Sequence, residues 1–226
     1  MKRILQTVVM LPTLIISSHH SFAATPTSHI KEVASDCENL EGEQILWKGE
    51  GNDSTAVIEP GVGFNRSKGL HFKASKAGFL NINPLATIGH PPLDVSLADG
   101  YMFWVKVVDA VTFSLEFKSQ EFGGHRFVLG EGVLAMDTTG NFLDLKEYLL
   151  LPRDKANPAA IKLPADFEGW IIIPSTVSTE GLETGWKCSN PDATGQHVPP
   201  IKGLLFVTGP SGEFYLDHFS LYQAKH

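Results

Sequence analysis

The sequence predicts an all-β fold, an antiparallel β-sandwich with little helix. Short stretches rich in Val, Ile, Phe and Tyr recur along the chain, each bounded by Gly, Asn or Pro. In 111–118, Val111, Phe113, Leu115 and Phe117 alternate with polar residues, which gives the period of two expected of a strand. Helical spacing occurs in one stretch, 142–151, where a short helix and an irregular strand are equally compatible with the pattern. Many short strands separated by turn residues are typical of a sandwich.

Taken in order, the same signals place the strands along the chain. The predicted strands are 44–48, 55–59, 69–74, 78–83, 101–108, 111–118, one or two within 123–136, then 160–163 and 169–173. The segment 183–200 is long, polar and contains Pro and Gly, and loops of that length are often functional or held in place by a specific contact.

The stretch 201–222 predicts two more strands around the turn residues 209–212, and we interpret it as a β-hairpin. In its second strand Leu216 is at an even position, whereas Phe219 and Leu221 are at odd positions. A β-bulge near Asp217 and His218 would account for this change of face. Asp217 then needs a partner, because an unpaired buried carboxylate is costly.

The alternation of inward-facing and outward-facing residues along two neighbouring strands predicts a solvent-facing group of side chains. If 101–108 and 111–118 pair as a hairpin, Phe103 lies opposite Phe117 and the apolar faces coincide. We therefore expect Trp104 and Lys106 to lie on the wet face beside Ser114 and Glu116.

Processing and charge narrow the function classes. A signal peptide over 1–23 is predicted from Lys2 and Arg3, the apolar run after them and Ser21-Phe22-Ala23. A flexible segment, 24–34, and a single domain, 35–226, are expected to follow it.

The chain has 18 Lys and Arg against 25 Asp and Glu; without Lys2 and Arg3 the net charge is −9. This sign disfavours nucleic acid or an anionic membrane as a partner, and no apolar run is long enough for membrane insertion. We expect a periplasmic or secreted protein.

The chain contains two cysteines, Cys37 and Cys188, both in the predicted mature part. Export places them where disulfides persist, so we expect a Cys37–Cys188 bridge. The alternative is two buried, unpaired thiols.

Four short motifs resemble the strands of a known family. They are Asp36-Cys37-Glu38, the F-W-V-K stretch from Phe103 to Lys106, the stretch from Phe167 to Pro174, and the stretch from Phe214 to Leu221. In order and spacing they resemble jelly-roll carbohydrate-binding modules of the galactose-binding-like type. The resemblance implies a jelly roll and a carbohydrate ligand.

The same resemblance implies a structural calcium ion held by Glu38 and Asp217. Calcium takes six to eight oxygen ligands, so backbone carbonyls and water, with Asp36 or Glu41, would complete the site. Cys37 and His218 depart from the family pattern, which commonly has an aromatic residue and a second Asp at these places. The alternative is that Asp217 accepts backbone N–H bonds at the bulge and no metal is bound.

A sugar platform could form at Trp104 with Lys106, Ser114 and Glu116, because an aromatic ring covers the C–H face of a pyranose while polar groups bind its hydroxyls. Trp186 is a second candidate, and the alternative for Trp104 is packing under a loop.

The sequence contains no nucleophile elbow and no zinc pattern. We therefore expect a non-catalytic carbohydrate-binding protein. The alternatives are a lyase or hydrolase using His90, His125, Arg126 and Glu116, and a structural or protein-interaction domain.

Overall fold

A computed structural model of the chain confirms the all-β class: it is an antiparallel β-sandwich of jelly-roll type with two sheets. The structure describes residues 29–35, 37–38, 45–49, 55–74, 78–82, 98–119, 125–130, 132–144, 149–150, 160–178, 185–188, 190, 192, 204–208 and 212–224. The predicted signal peptide, 1–23, lies outside these residues, as does His90.

The first sheet, sheet A, has eight strands in the order β10-β9-β13-β6-β17-β4-β3, with β1 added beside β17. Their bounds are β1 Ile30–Ser35, β3 Thr55–Glu59, β4 Gly69–Ala74, β6 Gly100–Asp109, β9 Leu134–Asp137, β10 Phe142–Leu143, β13 Glu168–Pro174 and β17 Gly212–Tyr222. All of its pairs are antiparallel.

The second sheet, sheet B, has nine strands in the order β14-β15-β8-β7-β16-β5-β2, with β12 beside β7 and β11 beside β12. Their bounds are β2 Ile45–Gly49, β5 Gly78–Ile82, β7 Val111–Ser119, β8 His125–Leu129, β11 Leu149–Leu150, β12 Ala160–Leu163, β14 Val177–Ser178, β15 Trp186–Cys188 and β16 Leu204–Thr208. The stretch 142–151 thus contributes the short strands β10 and β11.

Strands β6 and β7 do not pair as the expected hairpin. They follow one another through Ala110, but β6 belongs to sheet A and β7 to sheet B. Their apolar faces meet across the interior, where the rings of Phe103 and Phe113 lie 6.4 Å apart between centroids. Both residues are buried, so the apolar faces of the two strands pack against each other across the sandwich instead of lying side by side in one sheet.

The expected hairpin at 201–222 is wrong for the same reason, since β16 lies in sheet B and β17 in sheet A. The β-bulge is confirmed. The pairing of β17 with β6 shifts register between Asp217 and Ser220, and His218 has a φ of 51°. Phe214 and Leu216 before the bulge, and Phe219 and Leu221 after it, all lie in the buried core between the sheets.

The bulge also marks a change of partner. Before it β17 pairs with β4, and after it β17 pairs with β1. Residues 30–34, expected to be part of the flexible segment 24–34, therefore belong to the strand β1, because the last residues of β17 offer backbone groups for pairing. Within the described residues, no helix is long and apolar enough to cross a membrane.

Candidate functional site

The outer face of sheet A carries a continuous row of partly exposed side chains. Val57 of β3 lies opposite His71 of β4, which lies opposite Tyr215 of β17; Tyr215 lies opposite Lys106 of β6, and Lys106 opposite Glu168 of β13. None of the five is buried, whereas their neighbours along each strand point into the core. We call these five residues the open row.

The aromatic centre of the open row is held by a charged cluster. The His71 ring lies between two carboxylates, with Nδ1 2.9 Å from Glu59 Oε1 and Nε2 2.9 Å from Glu213 Oε1. Lys73 Nζ donates to Glu213 Oε2 at 2.6 Å, and this bond is the largest cause of the lowered pKa of Glu213. The Tyr215 ring packs against the His71 ring with centroids 4.6 Å apart. Tyr215 is therefore positioned by ring packing on a fixed imidazole.

The other end of the open row carries an exposed ion pair. Lys106 Nζ lies 3.3 Å from Glu168 Oε2, and both side chains are more than 40% exposed. Exposed pairs of this kind contribute little to stability, so both groups can exchange partners with a ligand at low cost. The row thus offers an aromatic ring, hydrogen-bond acceptors and hydrogen-bond donors on one face.

Beside the open row, the same face is covered. Two residues before Lys106 on β6 comes Trp104, and two residues after Glu168 on β13 comes Trp170; the two tryptophans lie opposite one another in register. Trp104 is 1% exposed and Trp170 0%. We call them the covered pair. Parity places Trp104 on the outer face as predicted, but the exposed platform expected there is not present because Phe64 lies over it, with ring centroids 6.4 Å from Trp104 and 5.0 Å from Trp170.

Phe64 belongs to residues 60–68, between β3 and β4, which we call the Phe64 loop. Asp217, on the outer face at the bulge, anchors this loop: its Oδ2 accepts hydrogen bonds from Phe64 N at 2.9 Å and Ser67 Oγ at 2.6 Å, and its Oδ1 accepts one from His218 N at 2.7 Å. Burial raises the pKa of Asp217, and these bonds act against the increase. A Cβ on Gly63 would lie 2.5 Å from Asp217 Oδ2, so only glycine allows this close approach.

Glu38 holds the other end of the Phe64 loop. Its Oε1 accepts a hydrogen bond from Lys68 N at 2.8 Å, and Lys68 Nζ donates to the Glu38 carbonyl oxygen at 3.1 Å. The two carboxylates expected to ligate calcium are thus both occupied by N–H and O–H donors of one loop. No group of three or more His, Cys, Asp or Glu side chains in the described part of the chain could hold a metal ion.

Calcium needs six to eight oxygen ligands, and Asp36 and Glu41, expected to contribute to the site, lie outside the described residues, so the calcium site stays a prediction. Asp217 accepts the backbone N–H of His218 at the bulge and that of Phe64 in the loop. The partner that Asp217 requires is the Phe64 loop.

The other predicted ligand-binding residues are not brought together. Ser114 and Glu116 lie on β7 of sheet B, away from Trp104 and Lys106 on sheet A, because β6 and β7 are in opposite sheets. Ser114 is 5% exposed, and the side chain of Glu116 is not among those described. Trp186 on β15 is 0% exposed and packs in the core between the sheets. It is not a surface platform.

The two cysteines are not bridged. Cys37 is 0% exposed and its Sγ lies 3.7 Å from the Leu216 carbonyl oxygen, whereas Cys188 lies on β15 and is 3% exposed. The alternative of two buried thiols matches this arrangement. Of the residues expected for the alternative catalytic site, His125 and Arg126 lie on β8 and Glu116 on β7; their side chains lie outside the described residues, as does His90.

Sequence reasoning missed His71 and Tyr215. The signal for Tyr215 was available, because Phe214 and Leu216 are the inward residues of β17 before the bulge and the ring between them must point outward. No comparable signal marks His71, whose role depends on the pairing of β4 with β3 and β17.

No family model and no curated protein matches the chain. Among solved structures, it is similar to the family 11 carbohydrate-binding module of a cellulosomal cellulase of Clostridium thermocellum, with 16% identity and a TM-score of 0.49 over 87% of this chain and 98% of that one. A family 11 module from Clostridium thermocellum, in complex with a β-1,3-1,4-mixed-linked tetrasaccharide, has 15% identity and a TM-score of 0.46 over 84% of this chain and 95% of that one.

An exo-β-agarase has 13% identity and a TM-score of 0.46; the match covers 88% of this chain but 25% of the agarase. These are similarities of fold.

Proposed function

We propose that this protein is an exported, non-catalytic carbohydrate-binding protein that binds its ligand along the open row of sheet A. The observation that carries the proposal is the partly exposed Tyr215 ring, held against His71 in the middle of a row of charged side chains. An aromatic face covers the C–H side of a pyranose, and flanking charged groups bind its hydroxyls.

The dimensions of the open row suit an extended chain of sugars. Neighbouring strands are about 4.8 Å apart, so a row across five strands is roughly 19 Å long. A polysaccharide lying across the strands would contact Val57, His71, Tyr215, Lys106 and Glu168 in turn. The composition of the row also disfavours a protein partner, because Val57 is its only aliphatic member and an apolar contact patch is not present there.

The charges indicate a neutral ligand. Glu59, Glu168 and Glu213 lie at the row, while Lys73 and Lys106 each have a carboxylate partner. An anionic polysaccharide would meet these three carboxylates and a chain of net negative charge.

Tyr215→Ala tests the proposal. The wild-type protein is expected to bind one or more members of a panel of soluble neutral polysaccharides (mixed-linked β-glucan, xylan and agarose), measured by affinity electrophoresis and calorimetry. Loss of a central aromatic contact should weaken that binding by about tenfold or more, with no comparable loss of melting temperature.

Lys162→Ala is the control. Lys162 is exposed on β12 of sheet B, on the opposite side of the sandwich from the open row, and its removal should leave binding unchanged. Equal affinity of the wild type and Tyr215→Ala for every polysaccharide, or binding to none by the wild type, would contradict the proposal.

A further inference from the structure

We propose that the covered pair, Trp104 and Trp170, is a second half of the binding face, and that the Phe64 loop closes it by placing the Phe64 ring where a sugar ring would lie. The identity of the ligand as a carbohydrate rests on the proposed function. The existence of a closed aromatic platform rests on the contacts described below.

The covered pair lies directly beside the Lys106–Glu168 end of the open row. Trp104 is the next outward residue after Lys106 on β6, and Trp170 is the next after Glu168 on β13. Tyr215 packs against the same outer cluster as the two tryptophans. At its Lys106–Glu168 end, a ligand on the open row therefore runs along the edge of the Phe64 loop, with the two indole rings next to it.

Three polar atoms under Phe64 have no hydrogen-bond partner in the loop, and a ligand would supply one. Trp104 Nε1, Trp170 Nε1 and His218 Nδ1 are buried and have no hydrogen-bond partner among the described residues. The Phe64 ring packs edge-on against Trp170 and His218, with centroids at 5.0 and 5.3 Å, and a phenyl ring accepts no conventional hydrogen bond from them. A buried polar group without a partner costs about 1–3 kcal/mol, and the hydroxyls of a sugar would satisfy all three.

The contacts that hold the Phe64 loop in place are compatible with opening of the loop. Its links to the rest of the protein include the hydrogen bonds to Asp217 and Glu38, and the Glu38–Lys68 ion pair is more than 40% exposed on both sides. Asn65 and Arg66 have φ values of 54° and 66°, in the left-handed region that costs non-glycine residues energy. Gly61 at the start of the loop has a φ of 80° and open space around it, which suits a hinge. Opening would expose the indoles.

Phe64→Ala removes the cover while keeping the Phe64 N–H bond to Asp217. Without ligand, acrylamide quenching of tryptophan fluorescence should increase. With mixed-linked β-glucan and xylan oligosaccharides of increasing length, the affinity for the longer ones should increase by about tenfold relative to the wild type. Phe64→Leu, which keeps an apolar cover, is the matched control and should behave as the wild type.

Trp170→Phe provides a second variant that keeps a ring in the cluster but removes the indole N–H. In the Phe64→Ala background it should abolish the gain in affinity, and in the wild-type background it should weaken binding of the longest oligosaccharides. In ¹H–¹⁵N spectra, the indole signals of Trp104 and Trp170 should shift when these oligosaccharides are added.

The outcomes separate this inference from the proposed function. Increased quenching in Phe64→Ala with unchanged affinity, or no effect of Trp170→Phe on binding at any length, would show that Phe64 is only a structural cap. If Tyr215→Ala abolishes binding while the Phe64 and Trp170 variants bind normally, the open row stands and the closed platform is wrong. Binding that depends on Trp170 but not on Tyr215 would support the closed platform and contradict the open row. Absence of binding by every variant would contradict both proposals.

Discussion

The carboxylate of Asp217 joins two parts of the chain that are 150 residues apart. It is 0% exposed, and each of its oxygens accepts at least one N–H or O–H bond, from Phe64, Ser67 and His218. Few substitutions of Asp217 would keep these contacts, because both oxygens must remain hydrogen-bond acceptors. Its position at the bulge follows from the sequence, whereas its partners in the Phe64 loop do not, since nothing local to either segment marks the contact.

Asp217→Asn should destabilise the protein by about 1–3 kcal/mol, because the amide must direct an N–H group at one of the donors. The measurement is urea unfolding at pH 7. Asp109→Asn, at an exposed carboxylate at the end of β6, is the control and should change the unfolding free energy by less than about 0.5 kcal/mol. Equal stability of the two variants would show that the three bonds are not important in solution.

Among the elements, the turn between β9 and β10 depends on one carboxylate. Asp137 Oδ1 accepts bonds from Thr139 N at 2.8 Å and Asn141 N at 2.9 Å, and Asn141 Nδ2 donates to Oδ2 at 3.1 Å. Burial raises the pKa of Asp137, but the hydrogen bonds from Thr139 and Asn141 together outweigh it and lower the pKa to about 2.

A lowered pKa means that ionised Asp137 stabilises the fold above its ordinary pKa near 4, and that this contribution is lost as the pH falls toward 2. Asp137→Ala should cost roughly 1 kcal/mol or less at pH 6, since the turn is exposed. Urea unfolding of both proteins between pH 6 and pH 2 should show the difference shrinking as the pH falls. A difference that stays constant over this range would mean that the ionised carboxylate is not the cause.

The bounds of most strands could be predicted from the sequence, because Gly, Asn and Pro interrupt the apolar runs where the strands end. The predicted 55–59, 69–74 and 160–163 agree with β3, β4 and β12. The sheet that each strand joins could not be predicted. Two strands that face each other across a sandwich have the same alternation as two strands that pair, so the pattern around Phe103 and Phe113 fits either arrangement.

The candidate site was predictable only in part for a related physical reason. Parity correctly placed Trp104 and Lys106 on the outer face of one strand. Whether such a side chain is exposed depends on what packs over it, and Phe64 is brought there by a contact with Asp217 that is distant in sequence.

For the whole molecule, the two cysteines make no covalent link between the sheets. Cys37 and Cys188 are both buried in the core cluster. We expect two free thiols per chain in denaturant, slow reaction of both in the native protein, and a melting temperature that reducing agent does not lower. The measurement is thiol titration of protein exported through an oxidising compartment, with Cys188→Ser giving one thiol as the control. Absence of titratable thiols in denaturant would restore the expected bridge.

The place of β17 within sheet A has a consequence for how the molecule assembles. It is the last strand described, yet it lies between β4 and β6 and also provides the partner of β1. Until residues 212–222 have left the ribosome, β4 and β6 have no strand between them with which to pair. Sheet A therefore cannot close until β17 has been made, and its completion requires pairing between segments far apart in sequence, which is a slow step.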